Sequence, residues 1–379
     1  MKKPRIAAVA ATGVLWAAIS AAETLSGNDP MLNQSRPQEE AIAGTPLPYR
    51  EELVTFGNPA AAGVQLAGTL TLPQGTKRFP AIVLIAGSGT NDRNEEIAGH
   101  KLALFLADAL TRQGYAVLRY DKRGVAESTG DYSSATTLDF ASDVTAAVAH
   151  LRRRLDIDIA KVGLIGHSEG GTIAAIAAAK DPSLAFIVMM AGFALPGKVL
   201  VAEQIRRIAI TDGQPREAAT RTFNLNRRSY DVIAASKDQR EAEARVRKLL
   251  TSAKPKPTNA EFDQAIHFTK LPYMRFILAY DPAAAFSEVR VPVLALNGSK
   301  DLVVPPDLNL PALRKALTDD QDVTVVEMPG LNHLFQHAET GSPGEFVKIE
   351  ETLAPEVLSL ISHWIVKHTD SRRSDRSDN

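Results

Sequence analysis

Residues 161–171 read Lys161-Val162-Gly163-Leu164-Ile165-Gly166-His167-Ser168-Glu169-Gly170-Gly171 and pass directly into Thr172-Ile173-Ala174-Ala175-Ile176-Ala177-Ala178-Ala179. An apolar run ends in Gly-x-Ser-x-Gly and an Ala-rich, helix-forming run follows, which predicts a strand, a sharp turn and a helix. Such a corner lifts the Ser168 hydroxyl above the edge of a sheet. Side chains at 166 and 170 would collide with neighbouring backbone in so tight a turn, so both positions call for glycine. The helix that starts at Ser168 also points its N-terminal N–H groups at any negative charge that develops there.

Outward from this corner the pattern alternates. Residues 79–86 form a continuous apolar run, as in a strand buried on both faces, and end abruptly in Gly87-Ser88-Gly89-Thr90-Asn91-Asp92-Arg93. Helical periodicity over 101–113 gives way to a strand at 115–120, a helix at 138–155 and the strand at 161–165. Another strand follows at 184–190. Repeated strand–helix–strand units with buried strands predict an α/β fold, a mostly parallel twisted sheet with helices on both faces. Two further strand-like stretches, 52–56 and 64–72, precede these units. From 197 to 280 the sheet pattern stops and four helices are expected, at 199–210, 215–235, 239–250 and 259–278. Strands resume at 291–296 and 323–327, with helices at 308–317 and 353–368. The expected organisation is a catalytic domain over 50–196 and 281–369 with an inserted helical cap over 197–280.

The 379 residues, 45% hydrophobic and 23% charged, suit a globular protein with a sizeable core. A formal net charge of −1 gives no reason to expect a nucleic-acid partner. Residues 1–22 have the pattern of an export signal: Lys2, Lys3 and Arg5, then an uncharged run, then Ser20-Ala21-Ala22 as a small-residue cleavage site. Cleavage, with a periplasmic or secreted product and no stable membrane insertion, is the expectation, against a retained anchor. Residues 23–49 lack hydrophobic period and read as a flexible leader, and 370–379 as a disordered tail. Cysteine is absent, which excludes disulfides and thiolate metal sites. The cap stretch carries 16 Lys and Arg against 9 Asp and Glu, a basic segment on an otherwise acidic chain.

A serine hydroxyl is a weak nucleophile until a base takes its proton, and that base needs a third group to orient it. On a sheet of this kind the partners should follow in the order acid, then histidine. The strand at 291–296 runs into Asn297-Gly298-Ser299-Lys300-Asp301, where Asp301 is the candidate acid, with an Asx-turn residue as the plainer alternative. The last strand runs into Pro329-Gly330-Leu331-Asn332-His333, where His333 is the candidate base. His337 is its nearest rival. His167 is expected to point away from the mouth and to be structural, and the remaining histidines show no pairing in the sequence. No metal-ligand spacing occurs, so no metal and no cofactor are expected. Two N–H groups should face the developing oxyanion: that of Glu169, which follows the serine, and that of Ser88 in the Gly-Ser-Gly loop.

Taken together, Gly166–Gly171, Gly87–Arg93, Tyr120-Asp121-Lys122-Arg123-Gly124, Leu296–Pro306 and Asn332-His333 resemble the bacterial α/β-hydrolase serine esterases. The likeness is greatest to the branch related to prolyl oligopeptidase and dienelactone hydrolase catalytic domains, and it covers about 50–196 and 275–368 in order. It implies a carboxylic ester hydrolase with Ser168, Asp301 and His333 as a triad, acting on a small-molecule ester. The loop 121–130 departs from the family's Arg-Gly-x-Gly-x-Ser, with Ala126 where a glycine is usual. Open alternatives are a serine peptidase of the same fold, an acyltransferase, and a catalytically inactive binding protein. Nothing in the sequence names the substrate-binding residues.

Overall fold

The computed structural model describes residues 34–44, 46–317 and 322–370. The expected signal at 1–22, the leader up to residue 33 and the tail from 371 lie outside the described residues. In chain order the body opens with helix α1 (Pro37–Ala43) and strands β1 (Tyr49–Gly57), β2 (Gln65–Pro73) and β3 (Phe79–Ile85). A two-residue-stranded hairpin, β4 (Glu96–Ile97) and β5 (His100–Lys101), leads into α2 (Leu102–Arg112) and β6 (Ala116–Tyr120). Then come α3 (Thr137–Arg152), β7 (Ile157–His167), α4 (Glu169–Lys180) and β8 (Ile187–Met190). Five helices follow: α5 (Gly197–Thr211), α6 (Arg216–Ala234), α7 (Gln239–Ser252), α8 (Asn259–Lys270) and α9 (Pro272–Ala279). The chain closes with α10 (Ala283–Phe286), β9 (Val293–Gly298), α11 (Pro306–Ala316), β10 (Val323–Met328) and α12 (Pro355–Asp370).

The eight-stranded sheet runs β1-β2-β6-β3-β7-β8-β9-β10. It is parallel from β6 to β10, with β1 and β2 antiparallel at one edge. This is the α/β-hydrolase architecture. The continuous apolar runs are explained by two cores. Ala81, Val83 and Ile85 face one side with Leu164, Ile187 and Val293, against α3, α4 and α11. Ile82 and Leu84 face the other with Ile165, Val188 and Leu294, against α2 and α12. Alternate residues thus feed opposite cores, and a strand buried on both sides has no polar face to show. From β3 the chain goes first to β6 on one side and later to β7 on the other. The carboxyl ends of β3 and β7 therefore flank a point where the winding reverses, the usual place for a ligand crevice.

The helical insertion leaves and rejoins the body at one neck, where the Gly197 N–H donates to Tyr280 O at 3.0 Å. The single helix expected over 259–278 is two. Proline at 272 has no N–H and its ring clashes with the carbonyl four residues back, so the chain turns extended at Leu271 (φ −90°, ψ 115°) and restarts as α9.

The reading of 23–49 as a flexible leader is corrected for its described part. Helix α1 is fastened to the body. Arg36 donates to Ala98 O and Val347 O, and Gln38 exchanges hydrogen bonds with the Leu353 backbone. Glu39 accepts from the Lys101 N–H at 2.8 Å. No apolar period marks α1 because polar side chains hold it. The tail boundary also moves, since α12 includes Asp370.

Ala126 sits at φ +45°, in the left-handed region where the resembling family keeps a glycine. The loop keeps its path because Asp121 accepts from the Glu127 N–H and the Ser128 hydroxyl donates to the Asp121 carbonyl. An L-residue in that region costs about 1–2 kcal/mol, against roughly 0.5–1 kcal/mol for the extra chain entropy of glycine. Ala126→Gly should therefore stabilise the protein by about 0.5 kcal/mol, read as a higher urea midpoint at unchanged slope.

Candidate active site

The turn at Ser168 takes φ +53° and ψ −123°, a conformation that costs an L-residue of order 1–3 kcal/mol. Surrounding backbone holds it there: the Ser168 N–H donates to Met190 O at 2.7 Å, and Ser168 O accepts from the Gly171 N–H at 3.0 Å. A Cβ on Gly166 would lie 2.0 Å from Gly170 O, and one on Gly170 would lie 2.0 Å from Ile85 O. Both glycines are thus required sterically, and their absence of side chains lets the turn sit against the end of β3.

Asp301, at the end of β9, is fully buried. Its Oδ1 accepts from the N–H groups of Val303 and Val304, both at 2.8 Å, and its Oδ2 accepts from Asn297 Nδ2 at 3.2 Å. The Asx-type turn is therefore real, and it is also what aims the second oxygen. Oδ2 lies 2.8 Å from His333 Nδ1. A carboxylate can only accept, so His333 carries its proton on Nδ1 and leaves Nε2 as the basic nitrogen. His333 and Ser168 line one pocket together with Gly87 and Ser88.

The two residues expected as oxyanion donors, Ser88 and Glu169, lie on either side of the Ser168 turn, Ser88 in the loop after β3 and Glu169 at the start of α4. In the loop after β3 the Gly87 N–H donates to Glu95 Oε1 at 2.6 Å and the Gly89 N–H to Tyr132 Oη at 3.1 Å. Between them, the N–H of Ser88 has no acceptor among the described residues, and neither does that of Glu169 at the start of α4. The rival His337 is exposed and engages Glu351 and Glu356, away from Ser168.

Two expectations are corrected. His167 does not point away from the mouth: it lines the same pocket, its ring centroid is 4.9 Å from that of His333, and it is buried. Its Nε2 donates to the His333 carbonyl at 3.0 Å and its Nδ1 meets Glu95 Oε1 at 2.9 Å. His100 and His368 are buried and bonded rather than unpaired, to Phe346 O and to Asp322 respectively. Sequence reasoning missed Glu95 altogether. It stands at φ +51° in an irregular loop, and only its spacing from the Gly-Ser-Gly loop could have drawn attention to it.

Both acceptors of His167, a carbonyl and a carboxylate, require an N–H, so the ring fits best as the doubly protonated imidazolium. Burial opposes that charge, but Glu95, the His333 carbonyl and Asp301 outweigh it and raise the pKa above the ordinary 6.5. A raised folded-state value stabilises the protein below the unfolded pKa and is lost as pH rises through the folded one. Glu95→Gln should remove that dependence. Urea denaturation from pH 6 to 9 is expected to show a stability gap between wild type and variant that narrows as pH rises.

Among the described residues, no group of three or more His, Asp or Glu is arranged to hold a metal ion. Comparison with known proteins agrees with the architecture. The family description X-Pro dipeptidyl-peptidase (S15 family) matches residues 62–319. The esterase EstD of Thermotoga maritima is 25% identical over 303 residues, which are 80% of this chain and 66% of EstD, so the chain spans just under two thirds of that relative. A Mycobacterium smegmatis proline iminopeptidase superposes with a TM-score of 0.52 at 16% identity, over 85% of this chain and 100% of that one. A Pyrococcus furiosus esterase gives a TM-score of 0.52 at 13% identity, over 85% and 92%. At such identities the two structures speak to fold alone. The family match spans more than half the sequence and contains Ser168 and Asp301: the chain belongs to the X-Pro dipeptidyl-peptidase (S15) family of hydrolases and carries the α/β-hydrolase fold.

Proposed function

We propose that this protein is a serine hydrolase that cleaves small, uncharged carboxylic esters through an acyl-enzyme on Ser168. The observation that carries the reading is the 2.8 Å Asp301–His333 hydrogen bond at a pocket that Ser168 also lines. In this mechanism His333 Nε2 takes the Ser168 proton as Oγ bonds to the ester carbonyl carbon. The N–H groups of Ser88 and Glu169 receive the resulting oxyanion, an interaction worth about 3–4 kcal/mol per donor in such sites. The ester C–O bond then breaks, the leaving alkoxide takes the proton from His333, and water repeats the sequence to release the acid.

Ester rather than peptide is favoured by the pocket walls. Ile97, Val303, Leu334 and Phe346 make them apolar, and Gln204 of α5 adds one neutral amide. A peptidase that removes an amino-terminal X-Pro unit must recognise an ammonium group. No Asp or Glu is among the described residues lining this pocket, so these walls offer such a substrate no carboxylate. The enclosed space of about 30 Å³ has room for about two waters, which suits a short acyl chain. The pattern of residues 1–22 supports export as part of the same proposal.

Ser168→Ala is expected to lower kcat on p-nitrophenyl acetate by about 10⁴-fold or more, and Asp301→Asn by about 10³–10⁴-fold. A Ser168→Ala variant at the wild-type rate would overturn the assignment. A substrate panel decides the class: acetate and butyrate esters should be turned over far faster than aminoacyl-prolyl amides, and the reverse order would make the enzyme a peptidase.

A further inference from the structure

One cap residue reaches the oxyanion residues from behind. Tyr273, the second residue of α9, is fully buried, and its hydroxyl lies 3.1 Å from Ser88 Oγ. The charge of the Glu169 carboxylate acts on the same hydroxyl. That carboxylate has no exposure of its own: its Oε1 accepts from Thr137 Oγ1 at 2.8 Å, and its Oε2 lies 3.4 Å from Lys122 Nζ. Lys122 in turn donates to the Gly87 carbonyl at 2.5 Å. Burial, and then the Glu169 charge, push the phenol well above its ordinary range, so it stays protonated and able to bond Ser88. Ser88, whose N–H lacks an acceptor among the described residues, is therefore tied by its side chain to one oxygen that belongs to the cap.

We propose that Tyr273 is a positioning residue that fixes Ser88, one of the two oxyanion donors, so that seating of the cap and stabilisation of the transition state are one event. The proposal rests on the hydrolase reading above and extends it to the cap. Because the oxyanion forms only after attack, misplacing its donors removes an interaction made in the transition state and not in the Michaelis complex. The signature is a loss in kcat at steady KM, which a packing role would not give.

The test is steady-state hydrolysis of p-nitrophenyl acetate by the full-length protein. Tyr273→Phe keeps the ring and removes the hydroxyl, and it should lower kcat about 10-fold with KM within twofold. Tyr230→Phe is the matched control. Tyr230 is also a fully buried cap tyrosine, packed on Phe268, and its hydroxyl has no hydrogen-bond partner among the described residues. Its variant should keep wild-type kcat. Combining Tyr273→Phe with Ser88→Ala should cost little more than the worse single change if both act through one bond. Wild-type kcat in Tyr273→Phe, a rise in KM alone, or an equal loss in Tyr230→Phe would each overturn the proposal. The Ser168→Ala protein is run beside them: if it stays active, the hydrolase reading itself has failed and this inference falls with it.

Discussion

The site depends on how closely three pieces of backbone approach one another at the β7–α4 corner. Gly170 abuts the carbonyl of Ile85, Gly166 abuts Gly170, and a Cβ on Gly171 would lie 2.8 Å from Gly192 Cα. This contact brings the loop after β3 beside Ser168, so that Ser88 and Glu169 can aim at one point although they are 81 positions apart in the chain. Serine is held at φ +53° as a consequence, and the strain is borne by the close glycine packing around it. A corner of this kind has no soft mode through which it could relax, which is what a preorganised site requires.

Beneath that corner lie two buried charge pairs, and they do different work. Glu95 with His167 grips the Gly87 N–H on one side and the His333 carbonyl on the other. Lys122 with Glu169 grips the Gly87 carbonyl and, through Glu169, Thr137. Gly87 is thus held at both its amide and its carbonyl by the side chains of these two pairs. Taking such charges out of water costs several kcal/mol per ion, and mutual attraction offsets this only when the remaining hydrogen bonds are made. Here they are made, so the pairs fix geometry at little net gain in stability. The Lys122 ammonium also lies 4.4 Å from the Phe140 ring centroid, a further favourable contact for a cation without water.

The fold was legible wherever apolar periodicity was strong. The runs at 79–86 and 161–165 specify their strands because both faces are buried, and Gly-x-Ser-x-Gly specifies the corner through sterics alone. Asp301 and His333 were legible because each follows a strand in the order this sheet demands, and the structure brings them into contact. What could not be read was whatever polar side chains hold in place. Helix α1 has no hydrophobic face, Glu95 lies in a loop with no period, and the orientation of His167 depends on a partner 72 positions away. Tyr273 was obscured for a different reason. Reading one helix through 259–278 buries the significance of Pro272, yet it is the break there that starts α9 and sets the direction of the next side chain.

The family name and the pocket pull in different directions, and the conflict can be argued from the reaction itself. Attack, oxyanion and proton transfer are common to esters and amides, and a His333 able to protonate an alkoxide can protonate an amine, so the triad does not discriminate between them. Discrimination must come from what the leaving group and the acyl group touch. Under the ester reading, the candidate surfaces are Ile97 on the β4–β5 hairpin, Phe346 in the stretch Pro343–Lys348, and Gln204 on the cap, which line the pocket. Arg36 bridges the first two walls by bonding Ala98 O and Val347 O. The walls that would choose the substrate are thus held by the helix before the sheet and by the insertion within it, while the chemistry is held by the sheet. Under the ester reading, substrate choice could change by substitution at Ile97 or Phe346 without disturbing the Gly166–Gly171 corner, because those two walls pack in a small cluster of their own, apart from the main cores.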